Sequence, residues 1–210
     1  MIVVDIEASG TDPVRNGVWQ IGAVEFENPS NTFLQESRID DEDSAEEEAL
    51  TVIGKTEREL RDRKKQTQKQ LLKRFFDWVS KIENKTLVAH NTPFDYGFLY
   101  IKAKRYGLEF PFPHRTIDLH PMAFLKYLQI NKKLPMDEGK SIMNLPKVIE
   151  FCGMKDERIQ MKEKEIIKEG KPHNGLDDAK LEAECLSRIL YGKGIFKEYK
   201  CFSIPNYLKN

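Results

Sequence analysis

The sequence predicts an α/β domain with a central mixed sheet of five strands flanked by helices, and three observations carry that prediction. Residues 2–36 hold three apolar, β-rich runs in succession; two further short runs, at 86–90 and 115–119, alternate with helical patterns; and the longest helical pattern keeps its apolar residues at spacings of three and four.

The elements follow in order. Ile2-Val3-Val4-Asp5-Ile6 is a nearly unbroken apolar run, as expected of a central strand covered on both faces, with one acid set into it. A Ser-Gly-Thr-Asp-Pro turn at 9–13 leads to strands at 18–26 and 32–36, joined through Asn28-Pro29-Ser30-Asn31. Residues 40–48 carry seven acids and residues 61–74 seven bases against one acid, a pattern that reads as solvated faces. Between 66 and 83, Leu71, Leu72, Phe75, Phe76, Val79 and Ile82 mark an amphipathic helix. A strand at 86–90 precedes a helix from 93 to 106, and a strand at 115–119 leads into a helix at 121–129. A polar loop then covers 131–141, a short helix 145–151, a charged excursion 155–171, and a final helix 177–191 with Ala179, Ala183, Leu186 and Leu190 at helical spacing. Residues 192–210 show no periodicity. Their Ile195, Phe196, Tyr199, Phe202, Ile204 and Tyr207 supply enough apolar surface to dock, and the expectation is a domain of residues 1–191 with 192–210 folded back upon it.

Composition narrows the class. Of 210 residues, 40% are hydrophobic and 32% charged, which is too apolar for wholesale disorder, and no stretch approaches the roughly 20 uninterrupted apolar residues of a membrane span. No secretory pattern opens the chain, and three cysteines without C-x-x-C spacing read as reduced thiols, so the expectation is a cytoplasmic protein. Lys+Arg and Asp+Glu both number 34. Net charge therefore gives no argument for a nucleic-acid partner, and such an argument has to come from a site.

Three short segments offer one. Asp5 and Glu7, two apart on a strand, project to one face, where paired carboxylates repel unless a cation such as Mg²⁺ or Mn²⁺ lies between them; the pair also reads as strand-end acids reaching solvent. His90-Asn91-Thr92-Pro93-Phe94-Asp95 joins a strand to a helix, and a capping account exists, with Thr92 as N-cap, Pro93 in first position and Asp95 three residues after the cap. His173-Asn174-Gly175-Leu176-Asp177-Asp178 heads the last helix, where acids complement the helix dipole and a nearby imidazole suits a general base.

Taken together, Asp5-x-Glu7, His90-Asn91-x-x-Phe94-Asp95 and His173-x4-Asp178 resemble, in order and approximate spacing, the three motifs of the DnaQ-like, or DEDDh, 3′→5′ exonuclease family. The loop from Asp5 to Pro13, the strand Gln20 to Val24 and the segment from Glu48 to Leu60 are also similar to that family, and the resemblance runs from Ile2 to about Leu190. It implies a ribonuclease H-like fold and phosphodiester hydrolysis with two Mg²⁺ or Mn²⁺ ions, held by Asp5, Glu7, Asp95 and Asp178, with His173 taking the proton of the attacking water. By the same resemblance Ala8, Ser9 and Gly10 receive the 3′-terminal nucleotide. Asn91 and Phe94 of the second motif are expected substrate contacts, and Phe94 and Trp19 are candidates to stack on bases. Gly175 stands where the third motif usually has alanine, which predicts a looser loop around His173.

Lys102, Lys104, Arg105 and Lys171 are candidate phosphate contacts or solvated lysines and arginines, and His114 and His120 read as structural. The expected substrate is the 3′ end of single-stranded DNA; RNA or short oligonucleotides form the second reading. A third is a proofreading or adaptor subunit docked on a polymerase or other DNA-processing protein. No membrane partner is expected.

Overall fold

The structure, a computed structural model, describes residues 1–162 and 165–209; residues 163 and 164 of the charged segment and the last residue of 192–210 lie outside the described residues. Five strands form the central sheet: β1 (Ile2–Ala8), β2 (Val18–Glu25), β3 (Thr32–Glu36), β4 (Leu87–Ala89) and β5 (Ile117–Asp118). Their order is β3-β2-β1-β4-β5, with β1 antiparallel to β2, β2 antiparallel to β3, and β4 parallel to both β1 and β5. Among them lie the helices α1 (Glu47–Ile53), α2 (Glu57–Leu60), α3 (Gln68–Ser80), α4 (Thr92–Tyr106), α5 (Leu119–Asn131), α6 (Leu145–Phe151) and α7 (Gly175–Tyr191). The match to the expected mixed sheet is close because each strand is an apolar run whose alternate residues meet a different helical layer.

On one face of the sheet Ile2, Val4 and Ile6 pack with Leu71, Phe75, Phe98 and Leu99 of α3 and α4. On the other, Val3, Val24 and Val88 pack with Ala123, Val148, Ala183 and Leu186 of α5, α6 and α7. Asp5 and Glu7 share the parity of Val3, so strand periodicity turns both acids toward α7. Helix α7 lies very close to the sheet there: a Cβ on Gly22, opposite Asp5, would stand 1.9 Å from the carbonyl carbon of Gly175.

Three segments depart from the sequence reading. The polar stretch 131–141 contains a small hairpin, β6 (Met136–Asp137) with β7 (Lys140–Ser141), and the charged excursion contains another, β8 (Gln160–Lys162) with β9 (Glu165–Lys168). Both are too short and too polar to show strand periodicity. The acidic and basic runs are more than solvated faces. Buried Asp43 accepts hydrogen bonds from Lys102 Nζ (2.9 Å), Arg105 Nη1 (2.7 Å) and Gln68 Nε2 (2.5 Å), and Arg61 donates to the carbonyls of Asp40 and Asp43.

Residues beyond α7 pack onto the α5–α7 layer, with Phe196 and Leu208 buried. A buried ion pair holds them there. Arg188 donates to Glu184 (2.8 Å) and to the carbonyls of Cys152 and Tyr199, while Glu184 accepts the backbone N–H groups of Ile195 and Phe196.

Candidate active site

Three chain segments converge at the carboxyl ends of β1 and β4. Strand β1 supplies Asp5 and Glu7. The first turn of α4 supplies Asp95, whose Oδ1 accepts the backbone N–H of Ile6 (3.0 Å) beyond the point where β1 and β4 cease to pair. The start of α7 supplies Asp178, preceded by His173.

The turn into α4 is capped differently from the sequence account. Asn91 is the N-cap, at φ 66°, and Thr92 turns its hydroxyl back to the carbonyls of Ala89 and Ile117. The Asp118 carboxylate accepts the N–H groups of Asn91 and Thr92. Asp95 is thereby released from capping and held against β1, with its carboxyl pushed up to about 7, chiefly by burial.

The head of α7 is similarly fixed. Asn174 caps Leu176 and Asp177 through its side chain, and the Gly175 N–H donates to Gln20 Oε1 (2.7 Å). A Cβ on Gly175 would lie 2.8 Å from the Asp5 carbonyl oxygen, so the glycine permits close docking, and the expectation of a loosened loop is corrected. His173 is held at both ends: its backbone N–H donates to Val52 O and its Nε2 lies 3.0 Å from Ile159 O. A carbonyl can only accept, so Nε2 carries a proton, and Nδ1 faces Asp178 Oδ2 at 3.4 Å.

The electrostatics are those of a site built around missing positive charge. Burial, and then the neighbouring carboxylates, raise the Asp5 carboxyl well above the usual range; Asp5 feels Asp178, Glu7, Glu182 and Asp95. Glu7 and Asp178 are also raised, again first by burial, with Arg158 acting in the opposite sense on both. Glu7 Oε1 and both carboxylate oxygens of Asp178 are buried without a hydrogen-bond partner among the described residues. One ligand atom each from Glu7, His173 and Asp178 lie within 4.8 Å of one another. Buried carboxylate oxygens without a hydrogen bond, beside an imidazole nitrogen, fit a divalent cation.

Two site residues were not found by sequence reasoning. Glu182, buried four residues beyond Asp178 on α7, accepts the His90 backbone N–H (3.1 Å), and burial followed by Asp95 and Asp178 raises its carboxyl. Its i, i+4 spacing from Asp178 was a usable signal. Arg158, on the segment before β8, lies 3.3 Å from Asp178 Oδ2 and had no such signal.

The expected substrate contacts separate. Asn91 and Phe94 line a cleft of about 420 Å³ with Asp5, Asp95 and His173, and Ala8 lines an adjoining one of about 360 Å³. Ser9 is buried; its hydroxyl donates to Ser44 O and accepts the Gly17 N–H, and its backbone bonds Gly17 and Glu46. Gly10 lies against Asn16 and Glu46. Trp19 is a core residue, packed with Ile39, Ile53 and Leu60, because its strand faces a third small apolar cluster. Lys102 and Arg105 are paired with Asp43 and Lys171 with Glu157, while Lys104 lies over Tyr100. His114 lies 3.5 Å from Tyr96 Oη and His120 bonds Ser141, both outside the cluster.

A family model described as Exonuclease matches residues 2–186. Two curated relatives are DNA polymerase III PolC-type proteins. The one from Thermotoga petrophila is 24% identical over 196 residues, with 73% of this chain and 14% of the relative covered; that from Thermotoga maritima is 26% identical over 195 residues, with 90% and 12% covered. The chain thus spans only a small part of those relatives. Among solved structures, the nuclease domain of 3′hExo, a DEDDh family member bound to rAMP, superimposes with a TM-score of 0.62 at 21% identity, covering 98% of this chain and 95% of that one. Cell-death related nuclease 4 gives 0.65 at 15% identity (90% and 62% covered), and E. coli Exonuclease I in complex with a dT13 oligonucleotide gives 0.61 at 14% (89% and 40%). These likenesses establish a common fold.

Proposed function

The chain belongs to the Exonuclease family, and from that membership we propose that it hydrolyses the terminal phosphodiester at nucleic-acid 3′ ends, releasing nucleoside 5′-monophosphates. The observation that carries this reading is the cluster of buried carboxylates on β1, α4 and α7, with unpartnered oxygens on Glu7 and Asp178 beside His173.

Membership implies dependence on a divalent metal. Asp5, Glu7, Asp95 and Asp178 would hold two Mg²⁺ or Mn²⁺ ions. When bound, such ions neutralise the carboxylates and stabilise the charge on the attacking and leaving oxygens. His173, its Nε2–H anchored on the Ile159 carbonyl, accepts the proton of the attacking water at Nδ1. The water oxygen bonds to phosphorus, the bond to the 3′ oxygen breaks, and that oxygen leaves as a hydroxyl after taking a proton. Glu182 holds the end of β4 through the His90 N–H and so positions the turn that carries Asp95. Phe94 and Asn91 stand where the terminal nucleotide would enter, with Ala8 lining the adjoining cleft and Ser9 and Gly10 following it in the loop braced on Ser44 and Glu46. The hydrolytic unit in this reading is residues 1–191, steadied by the segment 192–210.

Single-stranded DNA ends are the proposed substrate, with RNA as the second reading; the oligonucleotide-bound and rAMP-bound neighbours support one each. The PolC-type relatives support association with a polymerase. Digestion of 5′-labelled DNA and RNA of one sequence in Mg²⁺, Mn²⁺ or EDTA tests this. A metal-dependent ladder shortened from the 3′ end is expected, the faster ladder naming the sugar. Products that keep an intact 3′ end, or no products in any condition, would overturn the reading.

A further inference from the structure

The charged segment between α6 and α7 brings an arginine into a cleft whose lining also holds the acids Asp5, Glu48, Asp95, Asp156 and Glu182. Arg158 is 7% exposed, and Asp156, itself 7% exposed, fixes its direction. The Arg158 backbone N–H and Nε each donate to Asp156 Oδ1 at 2.9 Å, and Nη2 donates to Asp156 Oδ2 at 2.9 Å. Asp156 is anchored in turn: its carboxylate accepts Gln160 Nε2 (3.3 Å) and its carbonyl accepts Lys168 Nζ. With one edge of the planar guanidinium gripped in this way, Nη1 is left pointing to the catalytic acids, 3.3 Å from Asp178 Oδ2. The residue lines the same cleft as Asp5, Asn91, Phe94 and His173.

The charge balance matters. Asp156 already pairs with Arg158, and the free edge that also offsets the buried carboxylates of Asp178 and Glu7 faces the cleft. A guanidinium edge with unused N–H donors matches the paired non-bridging oxygens of a phosphodiester, and a donor held rigidly in a buried cleft stabilises charge that grows during reaction.

We propose that Arg158 is a further substrate-contacting residue of the exonuclease, its Nη1 edge donating to a non-bridging oxygen of the scissile phosphate while Asp156 acts as its positioning residue. The inference rests on the exonuclease reading of the cleft. Arg158 stays protonated throughout; it meets the phosphate before hydrolysis and the 5′-phosphate of the released mononucleotide afterwards. Product affinity therefore reports the contact without turnover.

The test is calorimetric titration of adenosine 5′-monophosphate in Mg²⁺ into wild type, Arg158→Gln and Arg158→Lys, with kcat and KM on single-stranded DNA measured beside it. Arg158→Gln is expected to bind the nucleotide about tenfold or more weakly and to turn over about a hundredfold more slowly. Arg158→Lys keeps the positive charge and loses the fork on Asp156, and is expected to fall between. Should Arg158→Gln fail to fold, the lysine variant decides, since binding equal to wild type contradicts a forked contact. Wild-type nucleotide affinity in Arg158→Gln overturns the proposal even if its melting temperature drops, because that outcome describes a purely structural arginine. A wild-type protein that neither binds the nucleotide nor digests DNA instead overturns the exonuclease reading beneath it.

Discussion

Asp5 is a residue at which the carboxylate cluster is costly. Burial and all four neighbouring acids disfavour its charged form, and Arg158, already paired with Asp156, attracts it without lifting the penalty. Asp5→Asn keeps the shape and removes that penalty, so the metal-free variant is expected to be more stable than the metal-free wild type, by about 1 kcal/mol or more, while losing hydrolysis; urea unfolding in EDTA checks the first and an end-labelled digest the second. His173→Gln removes the acceptor at Nδ1 and is expected to slow turnover about 10²- to 10⁴-fold, with the slowed rate no longer following imidazole titration in a pH–rate profile. Asp5, Glu7, Asp95 and Asp178 were singled out in the sequence by the resemblance of their three motifs taken together; local rules alone put Asp5 and Glu7 on one strand face and left Asp95 a cap and Asp178 a helix-start acid. Arg158 was not singled out, since a charged residue inside a charged run reads as solvated until tertiary packing buries it against Asp156.

At the scale of elements, the buried Asp43 network ties the loop after β3 to α3 and α4. Lys102 has no exposed surface, so removing its partner leaves an uncompensated buried charge. Asp43→Ala is expected to cost about 3 to 5 kcal/mol. Burial alone would raise the Asp43 carboxyl, but hydrogen bonds from Lys102 and Arg105 outweigh it and hold it below its ordinary value. A depressed carboxyl contributes stability above its unfolded value of about 3.9, lost as pH falls through the lower folded value. The urea midpoint of wild type should therefore fall below about pH 4 more steeply than that of Asp43→Asn. Helix α3 and strands β1 to β3 showed in the sequence through regular apolar spacing. The hairpins β6–β7 and β8–β9 did not, because two- to four-residue strands in charged surroundings are too short to carry a period and depend on their neighbours.

Across the whole molecule, the sheet brings three distant motifs to one end, and the residues after α7 brace the helix that carries Asp178. Phe196→Ala, which empties a buried position in that brace, is expected to cost about 3 kcal/mol, read from urea unfolding. Equal numbers of acids and bases leave no net positive charge to hold a strand, so digestion is expected to be distributive and to weaken as salt rises; long processive runs on excess substrate would contradict that. The central claim is that the carboxylates on β1, α4 and α7 form one divalent-cation site. Thermal melting of wild type and Asp5→Asn in EDTA, Mg²⁺ and Mn²⁺ tests it most directly. The account predicts that either metal raises the wild-type melting temperature, by about 2.7 kcal/mol of added stability at a hundredfold excess over Kd, and that Asp5→Asn loses most of this response. Wild-type melting curves that coincide in metal and in EDTA would contradict it.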